Sequence, residues 1–357
     1  MASLESYRLS ALAQKISVIT MVLALSCSGC RLSYIFHAAS HQYRIIHDSV
    51  KVEDALNNDH LQSDHRTHIR LVAQIKDFGE TELGLKKTQN YQTVYLNSHQ
   101  PPIYTLSASP KDRLARTLWW FPVVGNMPYL GFFDLGSAKK ESEILIKQGQ
   151  DVSIGVAEAY STLGWFKDPL TISLLERSTV ELAETILHEM THTTLYIKGQ
   201  GEFNEGLANL VGKTGALSFM TKTFGNAHPF TIEAENILSD TRLFSSYLAS
   251  LLAKLERLYS SDLSYQEKLA ERERIFEKSL EEFAGIQTRF RTDRFKGFGE
   301  SGLNNAYLMS IGLYNRHFSL FESVLAEKGN STGRMIDYLQ NMSNKGEDML
   351  ELMKTPD

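Results

Sequence analysis

The sequence predicts an α+β fold that is predominantly helical, with a small sheet set between two helical regions. Three observations carry that expectation. From about Leu32 to Gly84, apolar residues such as Tyr34, Ile35, Ala38, Tyr43, Ile46 and Val50 recur at steps of three and four, the spacing of one helix face. Thr93–Ser107, Thr117–Phe133 and Asp151–Val156 are rich instead in Val, Ile, Tyr, Trp and Phe, punctuated by Gly and Pro, and read as short strands and turns. Beyond residue 175 the helical period returns and dominates.

Within the helical regions the elements can be placed more closely. His60–Phe78 is amphipathic. Thr231–Tyr259 and Ser264–Phe290 are long and charged, and Ser260-Ser261-Asp262 between them makes a helical hairpin. The charges of Gln266–Glu282 read as a solvated face. Leu303–Glu327 reads as one further helix. Residues 30–357 are expected to form one domain, with a helical lobe over about 231–357.

Composition narrows the function. In 357 residues, 42% are hydrophobic and 22% charged, ordinary for a chain that buries a core. The formal net charge of -5 offers no electrostatic reason to expect nucleic acid as a partner. No run of about 18 apolar residues marks a membrane span.

The N-terminus reads as an export signal. Arg8 and Lys15 precede an apolar stretch, Ile16–Leu25, that is too short to span a bilayer. It ends in Ser26-Cys27-Ser28-Gly29-Cys30, where small residues before a cysteine match a bacterial lipobox. Residues 1–29 are therefore expected to be a lipoprotein signal peptide, with Cys30 lipidated as the membrane anchor. Both cysteines of the chain lie here, so the processed domain would carry no free thiol or disulfide. Arg31 is not Asp, which by bacterial sorting habit favours the outer membrane, facing the periplasm.

The chemistry centres on His188-Glu189-Met190-Thr191-His192. Residues four apart share one helix face, so two imidazoles at that spacing can ligate one zinc ion, with Glu189 placed as the general base. The surrounding sequence is a well-signalled helix. Ser178 and Glu181 form a capping box, and Val180, Ala183, Leu187, Met190 and Thr194 supply a buried stripe. Gly199 and Gly201 are expected to end it. A catalytic zinc takes three protein ligands. Glu205, in Phe203-Asn204-Glu205-Gly206-Leu207-Ala208, is the candidate third, with Asn204 capping a second helix that returns it to the first. The bland alternative for Glu205 is a first-turn Glu favoured by the helix dipole. His228 and His317 are weaker candidates for the same place.

The Asn-Glu-x-x-Ala segment after His-Glu-x-x-His is the gluzincin arrangement, although Glu205 follows His192 by only 13 residues. Taken with Gly29-Cys30, Phe121-Pro-Val-Val-Gly125, Tyr129, Gly131-Phe-Phe133, Ala159–Phe166, Asp168-Pro169 and Asn304-Asn305, the chain resembles a family of bacterial envelope lipoproteins known as predicted aminopeptidases. Asn126 and Leu130 stand where that family often has Cys and Arg. The resemblance implies a zincin-like catalytic domain and an aminopeptidase acting on peptides in the cell envelope, with one zinc ion as cofactor. A zinc endopeptidase of envelope quality control and a non-catalytic, lipid-anchored binding protein are the competing readings.

Hydrolysis also needs a donor to the developing oxyanion. Tyr160, Tyr307 and Tyr314 are candidates, each more ordinarily a core tyrosine. Asn304 and Asn305 would either hold substrate backbone or cap their own helix. The strand leading to Tyr160 could accept substrate as an added strand, with Glu158 receiving its free amine.

Overall fold

The computed structural model describes residues 44–97, 102–121, 125–156 and 167–354. The signal segment, Cys30, Glu158 and Tyr160 lie outside the described residues. Helices dominate, as the period of the sequence requires, and among the described residues the strands form three small sheets rather than one.

A short strand, β1 (Val50–Lys51), and helices α1 (Val52–Leu56) and α2 (Ser63–Thr81) open the described chain. Strand β2 (Thr93–Tyr95) pairs antiparallel with β1 and parallel with β8 (Leu170–Thr171). The second sheet has β3 (Tyr104–Pro110) at its centre, antiparallel to β6 (Leu130–Phe132) and to β7 (Gln150–Val156). Between them, β4 (Trp119–Phe121) and β5 (Gly125–Met127) make a separate antiparallel pair. Thr93–Ser107 is thus split, and its two ends, β2 and β3, join different sheets. Helix α3 (Leu135–Lys147), capped by the Asp134 side chain on Ser137 N–H, is one the sequence did not single out; it buries only Ala138 and Leu145.

The helical remainder runs α4 (Ile172–Leu175), α5 (Thr179–Thr194), α6 (Gly201–Phe224), α7 (Pro229–Tyr259) and α8 (Tyr265–Gln287). It continues through α9 (Asn305–Asn315), α10 (Phe318–Glu327), α11 (Thr332–Ser343) and α12 (Met349–Lys354). The expected helix over Leu303–Glu327 is two. The break falls at Arg316 and His317, whose side chains bond Glu256 and Glu202 on other helices. Among the described residues, no helix is long and apolar enough to cross a membrane.

Two helical cores organise these elements. In the main one, α2, α5, α6 and α10–α12 meet around Ile75, Ile186, Leu187, Phe203, Phe321 and Leu339. In the second, α7, α8 and α9 close over Phe244, Phe276, Phe283, Phe298 and Leu308. The chain from Phe318 onward therefore returns to the main core and buttresses α6. A buried salt bridge from Arg272 on α8 to Asp151 on β7, with Asn305 N–H on the same carboxylate, fastens the second core to the sheet.

Candidate metal centre

Helix α5 starts where the sequence places it. The Ser178 hydroxyl accepts from Glu181 N–H and the Glu181 carboxylate accepts from Ser178 N–H. Each closes one amide that the first helical turn leaves open. Val180, Ala183, Leu187, Met190 and Thr194 are all buried, as expected, and so are Leu182 and Ile186 on the neighbouring face. Burial on several sides makes α5 the central rod of the molecule. Each fully buried Leu or Ile contributes roughly 1.5–3 kcal/mol, so its position is strongly fixed.

The turn that follows differs from expectation. Helix α5 ends at Thr194, and Leu195, six residues before Gly201, takes extended dihedrals. Gly199 is not a helix terminus but the one left-handed residue of the turn, at φ +84°. Gly201 begins α6 rather than ending α5. Asn204 does not cap α6; it lies inside the first turn and is buried. Its amide reaches back to the loop, donating to Ile197 O at 2.8 Å and accepting from Ile197 N at 2.8 Å. That two-way clasp folds α6 antiparallel onto α5 and delivers the next residue, Glu205, to the histidines.

The three donor atoms converge. His188 Nε2 lies 3.1 Å from His192 Nε2 and 3.3 Å from Glu205 Oε2, and His192 Nε2 lies 3.5 Å from the same oxygen. A tetrahedral zinc ion bonded at about 2.0–2.1 Å sets its ligand atoms about 3.3–3.4 Å apart. The observed triangle has that size. Among the described residues this is the one group of three such donors close enough to share an ion.

Two buried atoms beside the triangle have no partner among the described residues, Glu189 Oε2 and His192 Nδ1. An unpaired buried carboxylate oxygen is costly and is expected only where another group completes it. Burial pushes the Glu205 carboxyl upward, but the adjacent His192 and His188 outweigh it and hold it well below the usual carboxylate range. Burial would lower His192, and the charge and hydrogen bond of Glu205 reverse this, with Glu189 adding to the rise. Glu205 is thus anionic at neutral pH, the state a metal ligand requires.

A family model described as "Putative aminopeptidase" matches residues 33–350. The chain belongs to that family. No curated protein and no solved structure matches it. The match spans every element of the centre, so His188, His192 and Glu205 all lie inside the matched region.

The remaining candidates sort by position. The Tyr314 ring lies 6.2 Å from the His188 ring and is half-exposed, held by Asn209 Nδ2 donating to Tyr314 O. Tyr307 packs on Phe298 in the second core, away from the centre. Asn304 caps α9 on Tyr307 N–H and donates to Val152 O. Asn305 is fully buried, donating to Pro110 O and Arg113 O and accepting from Tyr259. Asn304 thus caps its own helix, whereas Asn305 does not cap and spends its side chain on Pro110, Arg113 and Tyr259. His228 caps α7 on Phe230 N–H, and His317 pairs with Glu202 at 3.0 Å, so neither joins the triangle.

Two tyrosines escaped the sequence reading. The Tyr196 ring stands 6.1 Å from the His192 ring and is half-exposed. Tyr91 is buried at φ +66°, with its N–H on Asp168 O; burial raises its hydroxyl pKa, and the negative charges of Glu189 and Asp168 add to this. Proximity to the second histidine marks Tyr196 in hindsight, since it sits four residues on. Nothing local to Tyr91 signals its approach to Glu189.

Proposed function

We propose that this protein is a zinc-dependent aminopeptidase with a zincin-like catalytic domain, one metal ion held by His188, His192 and Glu205, and Glu189 as general base. The observation that carries the reading is the triangle of donors at 3.1, 3.3 and 3.5 Å with an unpartnered, buried Glu189 oxygen beside it. A binding protein has no use for that carboxylate.

The chemistry that zinc supplies at these donors is Lewis acidity, polarising the scissile carbonyl and lowering the pKa of the attacking water. Glu189 takes a proton from that water and returns it to the leaving amine. Its burial on α5 keeps bulk water from competing for that proton. Tyr314, half-exposed with its ring 6.2 Å from that of His188, is a candidate hydroxyl to donate to the oxyanion as charge builds there. Peptides are the substrates. Glu158 is the proposed receptor for their free amine and Tyr160 a second candidate hydroxyl. Cys30 is the proposed lipid anchor, placing the enzyme on the outer membrane facing the periplasm.

Peptide-library cleavage by wild type and Glu189→Gln, with free and acetylated N-termini, tests this. Zinc-dependent cleavage restricted to free N-termini and abolished in Glu189→Gln is expected. Equal cleavage of blocked peptides would make it an endopeptidase, and full activity in Glu189→Gln would end the mechanism.

A further inference from the structure

Glu205 and Gly212 are seven residues apart, two turns along the same face of α6. Glu184, His188 and His192 run along one face of α5 at four-residue spacing. Because the helices are antiparallel, the ligand pair lies near the connecting turn, and Gly212 meets α5 one turn further from it. The contact there is backbone to backbone. A Cβ on Gly212 would lie 2.8 Å from Glu184 O and 3.4 Å from His188 Cβ. The same point carries a buried ion cluster. Glu184 Oε2 accepts from Lys213 Nζ at 3.2 Å and from Arg294 Nη1 at 2.8 Å. Arg294 comes from the α8–α9 connection, so the second core is tied to this spot as well.

We propose that Gly212, Glu184 and Lys213 form a fulcrum that sets the distance between the two ligand-bearing helices and so tunes the metal site; they are positioning residues. This rests on the metal reading above. Gly212 permits the approach, and the ion cluster draws the helices together against it. The geometry is demanding. A Cβ at Gly212 falls short of ordinary contact with Glu184 O by about 0.6 Å, and backbone cannot swing aside as a side-chain tip can. A metal site tolerates only about 0.2 Å in its bond lengths, so a shift of that size at the fulcrum moves Glu205 off the histidines.

Cobalt titration followed by visible absorption reads both affinity and coordination geometry. Wild type, Gly212→Ala, Glu184→Gln and Leu339→Ala are compared, with melting temperatures of the metal-free proteins. Leu339 is fully buried in the main core but sits on α11, on neither ligand-bearing helix, and serves as the structural lesion. Gly212→Ala and Glu184→Gln are expected to weaken cobalt about 10-fold or more and to change its spectrum, as removal of supporting groups does at metal sites. Leu339→Ala should lower the melting temperature and leave the spectrum unchanged. Wild-type affinity and spectrum in both fulcrum variants would overturn the proposal, as would an equal loss in Leu339→Ala. Wild type that takes up no cobalt would overturn the metal reading itself.

Discussion

Asn204→Ala is the sharpest structural perturbation of the centre. The side chain is 1% exposed and makes two hydrogen bonds of 2.8 Å, both to the backbone of Ile197. Each bond contributes about 0.5–1.5 kcal/mol net, and a buried group left unpaired costs about 1–3 kcal/mol. Truncation strands the Ile197 N–H in a turn only six residues long, while Ile197 O keeps its bond from Gln200 N–H at 3.2 Å. With one amide unpaired and one further bond lost, the loss is about 2–4 kcal/mol. The same clasp sets the register of α6, so Glu205 should lose its place beside the histidines. Urea unfolding of metal-free protein and a zinc competition assay measure the two effects separately. A stability loss under about 0.5 kcal/mol with unchanged zinc affinity would refute the claim that this clasp builds the site.

Other consequences follow from the same structure. Tyr314→Phe should lower kcat while leaving KM nearly unchanged if its hydroxyl meets the oxyanion; an equal change in both would make it a binding residue. Glu202 is pushed up by burial, but a hydrogen bond from His317 and the Arg116 charge outweigh this and hold it at about 2, against 4.5 for the free group. A depressed carboxylate contributes its full stability above its unfolded pKa and loses it as pH falls, so Glu202 should contribute up to about 3 kcal/mol that fades between about pH 4.5 and 2. Comparing acid unfolding of wild type and Glu202→Gln checks this, and parallel curves would remove Glu202 from the account. Asp240 is buried and accepts from Arg291 N–H, Thr292 N–H and the Thr292 hydroxyl. Asp240→Ala should cost about 2–4 kcal/mol in urea unfolding and loosen the connection that carries Arg294.

What the sequence made legible was local. The Ser178–Glu181 box and the apolar stripe of α5 are encoded within one element, so the helix and its two histidines could be read directly. So could the hairpin at Ser260–Asp262 and strand β7. What it hid depends on partners distant in the chain. Asn204 has a capping residue's chemistry at a plausible position, yet its partner is the loop behind it. The periodicity through Tyr314 and Phe318 is unbroken, and only Glu202 and Glu256, on α6 and α7, show why the helix breaks at Arg316 and His317. Gly212 looks like an ordinary helix glycine until Glu184 O is seen against it. Glu205, the proposed third ligand, lies between these cases, since its residue type was readable but its delivery depended on a turn whose geometry was not.

The metal-to-protein ratio tests the central claim most directly. Purified wild type, dialysed against metal-free buffer and analysed by elemental mass spectrometry, should carry one zinc per chain. A His188→Ala, His192→Ala double variant that melts cooperatively should carry none. Wild type without zinc, or a double variant that retains it, would contradict the account.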